Sequence, residues 1–439
     1  MHSSIRKAAA LLLSLGLLLS LCGCAAGSVS DLYALPQPSE AYLHLQAMID
    51  EEISAGCEYA APSSGTYRQV VHAADLNGDG VTEAVAFLRD PDGVPKLCIY
   101  SQDSGEYALL GTISGEGSSI GSFDYADMDG DGCCELVVTW QASTGIGILY
   151  LYSIADGPGD VILTTDCTAF RFADMDGNGR YALLVLHADG TGSNTVDLFT
   201  LDAAQRLSQS TAALSTDLGT VERMRTGLLS DGAAALYVEG SCGEGGTLTD
   251  ILVASGSSLK CVTTDRFTGV GTTSRDCVVY ATDIDGDRVL EIPDAEALPE
   301  YSEDSGLFWI YDWYTYDSAG GREKAITTYH CTADGWYLVL PEGMRDGLVI
   351  RRADASSGEK AVVLSELDEQ SGETRDLLYI YTLTGDNRRD RAKSGERFTL
   401  AELSSTIYAA RLPEGSPYSR EEILDSFNII YSEWNTGTL

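Results

Sequence analysis

Short apolar runs alternate with polar turns along most of this chain, and few stretches have helical spacing. Ala84–Phe87, Leu136–Trp140, Ile148–Tyr152 and Val161–Thr165 are rich in β-branched and aromatic residues, the composition of strands. Turn formers such as Asp156-Gly157-Pro158-Gly159 separate them. Two segments read as helices. From Ser39 to Ile53, Leu43, Leu45, Met48, Ile49 and Ile53 recur at helical spacing. Near the C-terminus Ser419 and Glu422 have capping-box spacing, and Ile423, Phe427, Ile430 and Trp434 share one helical face. The pattern predicts a short helix, a long series of strands and a closing helix.

Between certain strands stands a recurring acidic loop. It reads Asp75-Leu-Asn77-Gly-Asp79-Gly-Val81-Thr-Glu83, then Asp127-Met-Asp129-Gly-Asp131-Gly-Cys133-Cys-Glu135. It returns as Asp174-Met-Asp176-Gly-Asn178-Gly-Arg180-Tyr-Ala182 and as Asp283-Ile-Asp285-Gly-Asp287-Arg-Val289-Leu-Glu291. Hard oxygen donors on alternate residues, with glycine at the bends, suit a calcium ion. The backbone carbonyls of Val81, Cys133, Arg180 and Val289 are expected to join the side chains. An EF-hand would place a bidentate Glu at the twelfth residue. Here the twelfth residues are Ala86, Val138, Val185 and Asp294. The acid stands instead at the ninth, and a strand follows, so the loop is a clasp between two strands. The first two copies have every expected side chain. The third lacks two carboxylates, at Asn178 and Ala182, and is expected to bind most weakly. The fourth has Arg288 in place of a glycine; a positive φ there costs roughly 1 kcal/mol.

The loops begin at 75, 127, 174 and 283, so the intervals are 52, 47 and 109 residues. The last interval is about double, and Leu228–Val238 reads as a unit that has lost its acids. Repeats of about fifty residues with about four strands each predict a β-propeller. The loops and their spacing resemble the FG-GAP and VCBS repeats of bacterial surface proteins, and are similar to the calcium loops of integrin α propellers. The resemblance covers roughly residues 68–300. There is no Phe-Gly…Gly-Ala-Pro blade motif, so the VCBS type is the better label. It implies a fold and calcium sites on the residues just named, two to four structural ions in all, and no single activity. The expected architecture is all-β: six or seven four-stranded blades with calcium loops over 68–334, preceded by a helix and lead-in over 39–67. A small β-rich or α+β segment over 335–439, ending in a helix, forms a separate module or the closing blades.

The N-terminus changes the expected compartment. Arg6 and Lys7 precede an apolar run, Ala8–Leu21, too short for a stable span. It ends in Leu21-Cys22-Gly23-Cys24, which resembles the lipobox of bacterial lipoproteins, with Cys24 as the residue that is acylated. Residues 1–23 then form the signal peptide and 24–38 a Ser-, Pro- and Gly-rich tether. The resemblance implies an extracytoplasmic protein held at the cell membrane by lipid. The formal charge of −38 argues against nucleic acid, whose binders need clustered cations. Nine cysteines lie beyond Cys24, an odd number with no zinc or disulfide spacing.

Enzyme motifs are scarce. Beyond the leader there are only His44, His72, His187 and His330, with no His-Glu-x-x-His. Gly117-Ser118-Ser119-Ile120-Gly121 matches a nucleophile elbow by letters, but leads into a strand rather than a helix. Phe308, Trp309, Tyr311, Trp313 and Tyr314 read as strand packing ahead of carbohydrate stacking. Arg388-Arg389-Asp390-Arg391-Ala392-Lys393, the one basic cluster, reads as a solvated loop ahead of a contact to an anionic wall polymer. The expectation is a non-catalytic calcium-binding scaffold or binding protein at the cell surface, with a glycan, wall polymer or surface protein as partner. The alternatives are a polysaccharide lyase or glycoside hydrolase, and a sensor or subunit of an envelope complex.

Overall fold

The structure, a computed structural model, describes residues 39–430 except 104, 142–146, 156, 158, 189–192, 299–307, 354–357 and 369. The expected leader, Cys24 and the tether lie outside the described residues, as does Trp434. Among the described residues no helix is long and apolar enough to cross a membrane.

Helix α1 spans Glu40–Ser54, with the Ser39 side chain accepting a hydrogen bond from Tyr42 N–H as its N-cap. Antiparallel sheets follow in chain order. Sheet one holds Val71–Ala74, Glu83–Arg89, Pro95–Asp103 and Glu106–Ser114, plus Glu58–Tyr59 on the edge of Glu83–Arg89. Sheet two holds Ser119–Ala126, Glu135–Gln141, Gly147–Ser153 and Asp160–Cys167; sheet three holds Ala169–Ala173, Ala182–His187, Thr195–Leu201 and Leu207–Ala213. Sheet four holds Val221–Leu228, Ala234–Cys242, Gly246–Ser255 and Ser258–Cys261. Sheet five runs Ile292–Ala297, Trp309–Tyr316, Arg322–Cys331, Trp336–Val339 and Phe427–Ile429. Sheet six runs Leu348–Arg352, Glu359–Leu367, Thr374–Thr384, Thr406–Arg411 and Phe398–Glu402.

The sheets stack face to face, and period-two alternation explains the continuous apolar runs. In Glu135–Gln141, Leu136, Val138 and Trp140 pack toward sheet one, while Val137 packs toward sheet three. In Ala182–His187, Leu183 and Val185 face sheet two, and Leu184 and Leu186 face sheet four. Leu236 and Val238 face sheet three, while Ala235 and Tyr237 face sheet five. Ile310, Trp336 and Leu338 of sheet five then meet Ile350, Leu364 and Ile380 of sheet six. Each central strand is thus buried on both faces.

The two ends of the stack have their own covers. Leu45 and Ile49 of α1 lie on Ala84, Ala86 and Leu88 of sheet one; the two alanines leave room for the helix. The outer face of sheet six packs Tyr381, Leu383 and Ala409 against Ala392. Among the described residues no apolar cluster joins sheet six to sheet one.

The C-terminal region differs from expectation. The boundary at residue 335 falls within sheet five, where Trp336–Val339 pairs with Arg322–Cys331. The capping box at Ser419 and Glu422 is present, but helix Arg420–Ser426 stops there. Phe427–Ile429 turns into a strand against Trp336–Leu338. Phe427 packs on the Trp336 ring at a centroid distance of 5.7 Å, so tertiary pairing overrides the helical spacing. Trp313 is fully buried, which places it in strand packing. The basic cluster is engaged locally: Arg389 pairs with Glu402 and Arg391 with Glu359.

Replacing Ile49, 2 % exposed, by Ala is expected to lower stability by about 2–5 kcal/mol in urea unfolding. Leu43→Ala on the solvent side of the same helix is expected to change it by about 0.5 kcal/mol or less.

Candidate metal centre

All four acidic loops close in one register, the first three between two strands and the fourth through an isolated bridge. The residue before the first Asp pairs with the ninth residue: Ala74 with Glu83, Ala126 with Glu135, Ala173 with Ala182, and Thr282 with Glu291. Within each loop the first Asp is held the same way. Its two oxygens accept from the fourth and sixth N–H groups, for example Gly130 at 2.7 Å and Gly132 at 3.0 Å onto Asp127. The same pairs recur at Asp75, Asp174 and Asp283. Val81, Cys133, Arg180 and Val289 each donate N–H to the fifth side chain, Asp79, Asp131, Asn178 or Asp287, at 2.7 Å. The fold therefore prepays the ordering of these acids through backbone donors.

The fourth and sixth residues need positive φ. Gly130 and Gly132 sit at 81° and 94°, and in the fourth loop Gly286 and Arg288 sit at 86° and 76°. Arg288 thus bears the expected left-handed strain.

The second residue of each loop is an anchor that the sequence reading did not single out. Leu76, Met128, Met175 and Ile284 are all buried between sheets, and Leu229 holds the same place in the unit without acids. The eighth residue is a second unrecognised feature. Cys134 N–H donates to Leu76 C=O at 2.7 Å, Tyr181 N–H to Asp127 C=O at 3.0 Å, and Leu290 N–H to Leu228 C=O at 3.2 Å. The second, third and fourth loops are thereby each bonded to the loop or turn of the preceding unit. The first two also abut: a Cβ on Gly78 would lie 2.3 Å from the Gly132 carbonyl oxygen.

The loops differ in what they bring together. Carboxylate oxygens of Asp127, Asp129 and Glu135 lie within 4.8 Å of one another, and so do those of Asp283, Asp285 and Glu291. Glu135 and Glu291 are 2 % and 0 % exposed, and each accepts one N–H, from Met128 or Ile284. The Glu291 Oε1 atom is buried with no hydrogen-bond donor. Burial, reinforced by the neighbouring Asp carboxylates, pushes Glu135 up to about 7 and Glu291 up to about 8. Burial also raises Glu83, Asp129 and Asp285. Such a cluster of hard, unneutralised oxygens fits a divalent cation of the calcium class.

The first loop is different from its side-chain inventory. The Asn77 amide donates to Asp79 and Glu83, both at 3.2 Å, and so satisfies the acids itself. In the third loop Asn178 Nδ2 likewise donates to Asp176 at 2.8 Å, and Ala182 supplies no carboxylate. Burial raises Asp174, but backbone donors from Gly179, Gly177 and Asn178 outweigh it and hold that carboxyl low. The two carboxylate clusters that could hold a cation therefore stand at the second and fourth loops.

No protein-family model matches the chain, and no curated protein matches it. Among solved structures it is similar to a putative 6-phosphogluconolactonase from Bacteroides uniformis, at 12 % identity over 72 % of this chain and 86 % of that one, TM-score 0.30. It is also similar to a periplasmic gluconolactonase from Pseudomonas aeruginosa, at 13 % identity over 80 % and 90 %, TM-score 0.30. A Bacillus licheniformis rhamnogalacturonan lyase matches at 13 % identity over 80 % and 91 %, TM-score 0.27.

Two outcomes are expected here. Arg288→Gly relieves the left-handed strain and is expected to stabilise the metal-free protein by up to about 1 kcal/mol in denaturant unfolding. The second concerns pH. Glu135 and Glu291 have raised pKa values in the metal-free fold. Their contribution is present below the unfolded value and is lost as pH rises through about 7 to 8. A calcium ion bound there would hold the ionised forms and remove that loss. The rise in Tm on adding calcium is therefore expected to be larger near about pH 8 than near about pH 6; equal rises would refute it.

Proposed function

We propose that the protein is a lipid-anchored, extracytoplasmic binding or scaffold protein whose propeller-type stack of sheets is braced by calcium. The supporting observation is the pair of three-carboxylate clusters, at Asp127, Asp129 and Glu135 and at Asp283, Asp285 and Glu291, each closed by a buried Glu, with Glu291 Oε1 left without a donor. A buried carboxylate oxygen with no donor is costly unless a cation completes it. The ions are structural: each bridges two strands of one unit, and the loop it orders is bonded to the unit before. Anchoring rests on the leader, Arg6 to Cys24. The ligand would be a surface component, in a protein without a recognisable catalytic motif.

The test is thermal unfolding with calcium and with chelator. A site filled at about a hundred times its Kd adds about 2.7 kcal/mol, so the midpoint is expected to rise with calcium and to respond less to magnesium, which needs stricter geometry. Asp127→Asn is expected to remove more of the rise than Asp174→Asn. An unchanged midpoint in the wild type would remove the calcium reading. Separately, Cys24→Ala is expected to move the protein from the membrane fraction to the soluble one; retention in the membrane would remove the lipid anchor.

A further inference from the structure

A polar cavity lies between sheets two and three and has no part in the acidic loops. It has a volume of about 690 Å³, and its lining includes Ser122, Asp124, Thr139, Gln141 and Arg171. That size suits a small-molecule site. Asp124 and Arg171 stand on the edge strands Ser119–Ala126 and Ala169–Ala173. They hold equivalent places, each three residues before the first Asp of its loop. Two successive units therefore set opposite charges across one cavity.

Neither charge is satisfied. Among the described residues Asp124 accepts one hydrogen bond, from the N–H of its neighbour Tyr125 at 2.9 Å. Arg171 gives one, to the carbonyl of its neighbour Phe170 at 2.7 Å. They do not reach each other as an ion pair. A guanidinium has five donors and a carboxylate about four acceptor positions, so most of both remains unused. Burial pushes the Asp124 carboxyl up and the Arg171 guanidinium down, and their mutual attraction offsets only part of this; each charged form bears a desolvation cost. Of the other lining groups, the Ser122 and Thr139 hydroxyls bond each other at 2.8 Å, and the Asp166 carboxylate meets the His187 ring at 3.3 Å. The unmet demand is for one anion and one cation.

We propose that this cavity binds a small zwitterion of the amino-acid class, its carboxylate on Arg171 and its ammonium on Asp124. Arg171 can take the carboxylate in a bidentate pair, and Asp124 accepts from the ammonium. A neutral polyol offers hydroxyls to both but neutralises neither charge. The remaining volume accommodates a side chain or a second residue. The proposal names the ligand of the binding protein argued above and rests on that reading.

The experiment is isothermal titration of the calcium-loaded full-length protein. The panel holds free amino acids, dipeptides, their N-acetyl amides, and neutral saccharides of similar size. Zwitterions are expected to bind at least about ten-fold more tightly than their blocked counterparts. Asp124→Asn and Arg171→Gln are each expected to lose about ten-fold or more, with Arg171→Lys in between. The calcium-induced rise in Tm of each variant is expected to match the wild type, which reports that the variants fold. Binding of saccharides in preference to zwitterions, no binding by any zwitterion in the panel, or wild-type affinity in both charge-neutral variants would each overturn the proposal. Loss of the calcium effect in the wild type would instead overturn the platform reading.

Discussion

Mutual repulsion among clustered, partly buried carboxylates is the constraint around which the acidic loops are built. Asp127, Asp129 and Glu135 converge within 4.8 Å in a low-dielectric setting, where like charges cannot all ionise without compensation. Backbone donors position these side chains but do not neutralise them. Glycines at 81° and 94° let the loop close tightly enough for its N–H groups to aim at the first Asp. A divalent cation, on the reading proposed above, would turn the same repulsion into cohesion beside the bonds from Cys134, Tyr181 and Leu290 that join one unit to the next. Metal chemistry in the loops would then act on the joints of the stack.

Those joints matter because the protein has no single central core. Its apolar interior is divided into layers between successive sheets, and each central strand is buried on both sides. A unit cannot bury its faces alone. The end faces meet this need with α1 over sheet one and the segment around Ala392 over sheet six. The unit that lacks acids keeps its buried anchor Leu229. It ties its turn forward instead, with Ser230 N–H and hydroxyl both donating to Tyr316 C=O. One loop can therefore lose its metal side chains while keeping its place in the packing.

Much of this was legible from the chain because it is local. Strand runs, the helix from about Ser39, the capping box at Ser419 and the positive φ at Arg288 all follow from neighbours in sequence. What was not legible depends on distant partners. Phe427 reads as a helical position until Trp336 and Leu338 are known to lie beside it. Asn77 counts as a ligand by residue type, yet its amide already satisfies Asp79 and Glu83, which moves the strong centres to the second and fourth loops. Cys134, Tyr181 and Leu290 share a backbone role, so their side chains carry no common signature. Asp124 and Arg171 become a pair only once two sheets pack. The acidic loops reveal the platform; the cavity that addresses a ligand emerges from the fold.

The central claim is that calcium stiffens the joints between units. Amide hydrogen exchange at Cys134 and Leu290 tests it most directly, because these N–H groups are the bonds that cross those joints. Calcium is expected to slow exchange at both by about ten-fold or more relative to the chelated protein. Rates that calcium leaves unchanged at these two amides would contradict the account.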